Sequence, residues 1–260
     1  MPNQIRSIPT IAMAIPVARY KVSLDTKACR GGHFYSVEGL NEKFRGITTF
    51  IGVIAKPALI AWSRKEALES ARRAFYEAGD EESALNWRAF VDSVIAKASK
   101  RPKELSDKAM GLGTLLHDTI EKWIKKEITN IPDEIRAPFG NFLRWVESEK
   151  INFFAAEVVC ASIKHKYGTK VDGVAERGGK FYVYEFKSSK AIYDEYLLQT
   201  AAEVVALEET YPIAIAGSFV ARFGIDGVFD KDRDIRQIKN QEKAFSTFLL
   251  AKQLWEDLNA

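Results

Sequence analysis

The stretch KYGTKVDGVAERGGKFYVYEFKSS, residues 166–189, decides how this chain folds and where its chemistry lies. Both halves are rich in Val, Tyr, Phe and Thr, and Arg177-Gly178-Gly179 between them is a tight-turn sequence. The pattern predicts two antiparallel strands joined as a hairpin. Side chains alternate along a strand, so Glu185 and Lys187 share one face and Tyr184 and Phe186 the other. At about 3.3 Å rise per residue, Glu185 and Lys187 stand about 6.6 Å apart along the strand, within reach of Asp172 on the neighbouring one. Two carboxylates and an ammonium are therefore expected in one small space, inside an aromatic run where charge is costly to bury.

Working outward, FFAAEVVCASI (153–163) reads as a third strand, followed after the hairpin by a helix over 191–209, a strand over 213–223 and a long helix over 235–258. Before the strands, a helix over 106–129 carries Leu112, Leu116, Ile120, Trp123, Ile124 and Ile128 on one stripe, and another covers 133–149. This order predicts an α/β core, a central mixed β-sheet flanked by helices. Upstream, residues 20–55 suggest short strands with a turn at Glu38-Gly39. Pro57 opens a helix running to Gly79, a second follows over 81–99, and KRPKELSDK (100–108) reads as a basic connector with a new helix start at Ser106. The expected division is 1–105, a hairpin and basic helical N-terminal extension, and 106–260, the core, packed as one compact unit in which the extension forms a wall over a cleft.

With 260 residues, 47% of them hydrophobic, the chain can bury a full core. No apolar run reaches the roughly 18 residues of a membrane span, and TIAMAIPVARY (10–20) lacks the charged region and cleavage site of a secretory signal, so no membrane partner and an intracellular, cytoplasmic location are expected. Cys29 and Cys160 form no pair motif; both read as buried thiols, with neither a disulfide framework nor an iron–sulfur cluster. Charge is uneven: residues 1–110 carry 18 Lys+Arg against 12 Asp+Glu, and residues 111–260 carry 20 against 23. A basic half can attract nucleic acid, and an acidic cluster in the other can hold metal. Arg72, Arg73, Lys100, Arg101 and Lys103 are candidate phosphate contacts, with a solvated helix face as the alternative. Trp62, Trp87, Trp123, Trp145 and Trp255 read as core rather than base-stacking platforms.

Two hard carboxylates at Asp172 and Glu185 suit Mg²⁺ or Mn²⁺, and a lysine beside them can orient a water and balance charge on a phosphoryl group. These residues resemble the PD-(D/E)XK nuclease superfamily, whose signature is an acid, a short hairpin, then Glu-x-Lys: here Asp172, then Glu185-Phe186-Lys187, with Val171 where the name has proline. The surrounding motifs are similar to the RecB-type branch with phage and mitochondrial exonucleases. Gly113-x-x-x-His117 stands on the preceding helix and Glu157 on the intervening strand. Gln199 opens the branch's Gln-x-x-x-Tyr motif, although its tyrosine position holds Glu203. ITTFIGVIAKPALIAW (47–62) is more loosely similar.

The resemblance implies a restriction-endonuclease-like core and a metal-dependent DNA nuclease, an exonuclease in DNA repair, recombination or replication. It implies that Asp172, Glu185, the Phe186 carbonyl and His117 hold one or two Mg²⁺, that Lys187 positions the attacking water, and that Glu157, Gln199, Tyr196 and Gly113 support the site or the substrate. Single- or double-stranded DNA would be the partner, with replication or recombination proteins besides, in the host cytoplasm if the source is viral; the oligomeric state stays open. An endonuclease on the same fold, an inactive nuclease-fold DNA-binding protein and a metal-independent binding protein remain alternatives. Residue by residue, Glu185 and Lys187 can be a surface ion pair, His117 a core histidine or a helix partner of Glu121, Glu157 a solvent-facing acid, and Gln199 a helix surface residue with Tyr196 in the core.

Overall fold

The computed structural model describes residues 14–260 except 30, 31, 55 and 86, with the side chains of 26–29, 58 and 79–85 also outside the description. The described chain runs β1 (Val22–Cys29), β2 (Gly32–Val37), β3 (Lys43–Gly46), α1 (Ile47–Ile51), α2 (Pro57–Leu85), α3 (Trp87–Ile124) and, after one 3-10 turn, α4 (Arg136–Glu149). Then follow β4 (Asn152–Ser162), β5 (Tyr167–Arg177), β6 (Lys180–Lys187), α5 (Asp194–Thr210), β7 (Ile215–Arg222), α6 (Lys231–Asp234), β8 (Ile235–Gln237) and α7 (Gln241–Leu258). All eight strands form one open mixed sheet in the order β1-β2-β3-β5-β6-β7-β8, with β4 antiparallel along β5.

The β5–β6 hairpin closes where its sequence directs, with Arg177 opposite Lys180 and the turn glycines Gly178 and Gly179 at φ +61° and +78°. Two successive positive φ values match the right-handed twist of the strands. The ladder then stops early. From the Arg177–Lys180 pair it runs only to Gly173–Tyr184, after which β6 continues to Lys187 in parallel pairing with β7 alone. On β5, pairing on that side resumes at Tyr167 and Gly168, with β3. The sheet thus forks at Asp172, between β3 and β6.

Helices cover both faces. On one, Ala202, Leu207 and Phe248 of α5 and α7, with Ile47 and Phe50 of α1, pack on Val158, Tyr167, Val171, Val174 and Val183. On the other, Phe142 and Trp145 of α4 meet Phe153, Tyr184, Phe186 and Phe223 in an aromatic cluster with centroids 5.1 to 6.5 Å apart. Such edge-on and tilted pairs add to the area they bury. Among the described residues no helix is long and apolar enough to cross a membrane.

Several elements differ from the sequence-based expectation. Contacts divide the chain into residues up to Ile54 with Gly113–Ala260 and, as a second unit, Ala55–Leu112. The expected boundary at residue 105 falls inside α3, and the N-terminal hairpin belongs to the core sheet because β3 pairs with β5 at Arg45–Tyr167 and Gly46–Gly168. The connector at 100–108 is helical, since α3 passes through Pro102. Proline removes one helical donor, and the Ala- and Lys-rich flanks are strong enough helix formers to carry the ladder past it. The last helix starts at Gln241, where the Asn240 side chain accepts from the Lys243 N–H at 2.9 Å, and residues 235–237 pair as β8. Trp145 is core, but Trp87 is 55% exposed, beside Phe75 and Phe90 in the second unit. Cys160 is a buried free thiol, and the side chain of Cys29 lies outside the described residues.

Gly168 serves this junction. A Cβ there would land on the Tyr35 ring, which packs over β5 from β2. Gly168→Ala is therefore expected to destabilise the protein by about 1–3 kcal/mol, measured by urea denaturation.

Candidate active site

Asp172 stands at the sheet fork and fills the place of a missing ladder bond. Its Oδ2 accepts the Phe186 backbone N–H at 2.9 Å, tying β5 to β6 where direct strand pairing has ended. His117 reaches the same carboxylate from α3, with Nδ1 3.5 Å from Asp172 Oδ2 and its ring edge-on to Phe186. Gly113, one turn earlier, permits that approach, because a Cβ there would stand 2.5 Å from Ser188 Oγ just beyond β6. Glu121 pairs with Lys125 at 2.5 Å, so the His117–Glu121 helix pair is replaced by the contact to Asp172.

Glu185 faces α5 and is 2% exposed. Its Oε1 accepts from Lys187 Nζ and, at 2.5 Å, from Gln199 Nε2, while its buried Oε2 has no donor among the described residues. Gln199 Nε2 also donates to Glu203 Oε1 at 2.9 Å, and Gln199 Oε1 accepts from Lys187 at 3.2 Å. Tyr196 lies under the ammonium, with its ring centroid 4.7 Å from Lys187 Nζ, a cation–π contact. Glu203 is fully buried, and its Oε2 also lacks a donor among the described residues.

The buried carboxyls of Glu185 and Glu203 and the partly buried one of Asp172 thus crowd one partly buried ammonium. Burial raises Asp172, opposed by the Lys187 charge and the Phe186 N–H. Burial and then the charge of Asp172 raise Glu185 from 4.5 to about 7, against the pull of Lys187. Glu203 is raised well above its ordinary value by burial and by Glu185. Burial pulls Lys187 down, but Glu185 and Asp172 outweigh it and leave it above the usual lysine value. Lys187 therefore stays an ammonium, a hydrogen-bond donor rather than a base. Burial lowers His117, which favours the neutral imidazole able to bind metal.

The raised Glu185 fixes a sign for stability. Its carboxyl is protonated more in the folded than in the unfolded chain between pH 4.5 and about 7, so the contribution of Glu185 to metal-free stability falls as pH rises through that window. Urea denaturation across the window is expected to show this fall, flattened in Glu185→Gln.

Glu157 lies across from Asp172, between the Ala156–Gly173 and Val158–Val171 pairs, and holds Lys170 in an ion pair. Its φ of +56° in mid-strand is a costly conformation for a non-glycine residue. The structure thus gathers Gly113, His117, Asp172, Glu185, Phe186, Lys187, Tyr196 and Gln199 around the fork, with Glu157 alongside. Arg72, Arg73, Lys100, Arg101 and Lys103 belong to the second unit, where Arg72 lies over Tyr76 and Arg101 is 3.8 Å from Glu104. Two further residues belong to the site. In the sequence Glu203 stands out only as a departure from a tyrosine motif, although a lone acid in TAAEVVAL (200–207) signals a purpose; Lys170, whose charge reaches both Asp172 and His117, has no local signal.

These residues fit a divalent, oxygen-preferring cation. Asp172 and Glu185 bring carboxylates from two strands, Glu185 Oε2 is buried without a donor among the described residues, and the acids outnumber the ammonium, an imbalance that protons or a dication must settle. Among the described residues no three His, Cys, Asp or Glu side chains already converge as a ligand set; Glu185 Oε1 is engaged by Lys187 and Gln199. Neither a scan of protein-family models nor a search of curated proteins finds a match to this chain.

Proposed function

We propose that this protein is a metal-dependent deoxyribonuclease of the PD-(D/E)XK kind, an exonuclease of DNA repair, recombination or replication. One observation carries the reading. Asp172 and Glu185 stand on strands that splay apart, beside a lysine that stays charged and a buried Glu185 oxygen that finds no donor among the described residues. Asp172, Glu185 and the Phe186 carbonyl, with His117, would hold Mg²⁺ or Mn²⁺. The bound cation would supply charge neutralisation at the scissile phosphate and lower the pKa of a water.

The remaining work belongs to the side chains. Lys187, held by Glu185, Gln199 and the Tyr196 ring, has donor capacity left to orient a water or a phosphate oxygen. Its fixed charge offsets negative charge developing on the phosphoryl group. Asp172 keeps β6 in place through the Phe186 N–H, so the two acids keep their spacing. The preference for free DNA ends rests on the resemblance of the motif set to phage and mitochondrial exonucleases.

The test is digestion of end-labelled linear single- and double-stranded DNA and of a closed circle, with Mg²⁺, Mn²⁺ or EDTA. Metal-dependent loss of the linear substrates alone is expected, with polarity read from the label. Cutting of the circle would make the protein an endonuclease. DNA binding without cleavage under any metal would leave a nuclease fold that only binds.

A further inference from the structure

Gln199 hydrogen-bonds both Lys187 and Glu185, and its usefulness depends on which way its amide faces. A glutamine amide has nearly the same shape after a flip but exchanges a donor for an acceptor. In the arrangement present, the carbonyl oxygen accepts from the Lys187 ammonium, and the NH₂ group donates to Glu185 Oε1 at 2.5 Å and Glu203 Oε1 at 2.9 Å. Flipped, the amide would set NH₂ against an ammonium and its oxygen against two carboxyl oxygens. Glu203 supplies the second of those acceptors from one helical turn along α5. It sits fully buried in an Ala- and Val-rich stretch where an apolar residue would pack at lower cost.

We propose that Glu203 is a positioning residue: by accepting one amide hydrogen of Gln199 it fixes the direction of that amide, and through it the place of the Lys187 ammonium. The chain carries glutamate where the resembling motif has tyrosine, so this device belongs to its own sequence. The consequence for DNA cleavage rests on the nuclease reading above; the geometry does not.

The experiment compares wild type, Glu203→Gln, which keeps an acceptor oxygen, and Glu203→Leu, which removes it. Side-chain ¹⁵N NMR follows hydrogen exchange of the Gln199 NH₂, assigned by its loss in Gln199→Ala, together with the Lys187 ammonium signal. Single-turnover cleavage and DNA affinity are measured alongside. Slow Gln199 exchange is expected in wild type and Glu203→Gln and fast exchange in Glu203→Leu, with a shifted Lys187 signal. The cleavage rate of Glu203→Leu should fall about 10- to 100-fold with DNA affinity unchanged, and Glu203→Gln should recover most of it. Unchanged Gln199 exchange and Lys187 signal in Glu203→Leu would overturn the proposal. If wild type does not cleave DNA, the nuclease reading is lost and the NMR comparison alone decides the positioning role. Should Glu203→Leu not fold, Glu203→Ala carries the same comparison.

Discussion

Lys187→Met is expected to lower metal-dependent DNA cleavage by about 10²- to 10⁴-fold while leaving divalent-cation binding in place. Methionine keeps the unbranched length of the side chain but offers no donor to Glu185, Gln199 or a water. Because Glu185 and Asp172 hold Lys187 above the ordinary lysine value, its contribution is that of a fixed, donating charge, and no change of pH in the neutral range will substitute for it. Arginine should rescue poorly, since a larger planar guanidinium does not reproduce the compact ammonium's bonds to Glu185 and Gln199. Single-turnover cleavage with a parallel Mn²⁺ titration checks this; cleavage near the wild-type rate would remove Lys187 from the chemistry.

Asp172→Asn is expected to weaken divalent-cation binding by about 100-fold or more, and cleavage with it, while making the metal-free protein more stable. The amide retains an oxygen to accept the Phe186 N–H, so the tie between β5 and β6 survives. What disappears is one of the charges that raise Glu185 and Glu203. Sites built to bind a cation carry such repulsion when empty, and removing it trades function for stability. A structural ion-pair network makes the opposite forecast, because breaking a satisfied buried pair destabilises. Thermal denaturation of both proteins in EDTA separates the two.

The parts of the site that were legible in sequence are those set by local periodicity. Alternation along β6 put Glu185 and Lys187 on one face, the Arg177-Gly178-Gly179 turn brought Asp172 alongside, and one helical turn separates Gly113 from His117. Long-range pairing was not legible. The parallel contact of β3 with β5 joins Arg45 to Tyr167, and no local pattern states it, so from sequence the N-terminal strands look like an extension. The fork at Asp172 depends on β6 leaving β5 for β7, again a tertiary choice. Pro102 misled for the opposite reason: its local signal is strong, yet the helix continued through it. Glu203 was visible as a lone acid among apolar residues, but its partnership with Gln199 required seeing α5 against β6.

The central claim, that the acids at the fork are a cation site, is tested most directly by calorimetric titration of Mn²⁺ into metal-free protein at pH about 7, where Glu185 is still partly protonated. Saturable binding with release of protons from the crowded carboxyls, lost in Asp172→Asn, is the result this account predicts. No binding by a folded wild-type protein would contradict it.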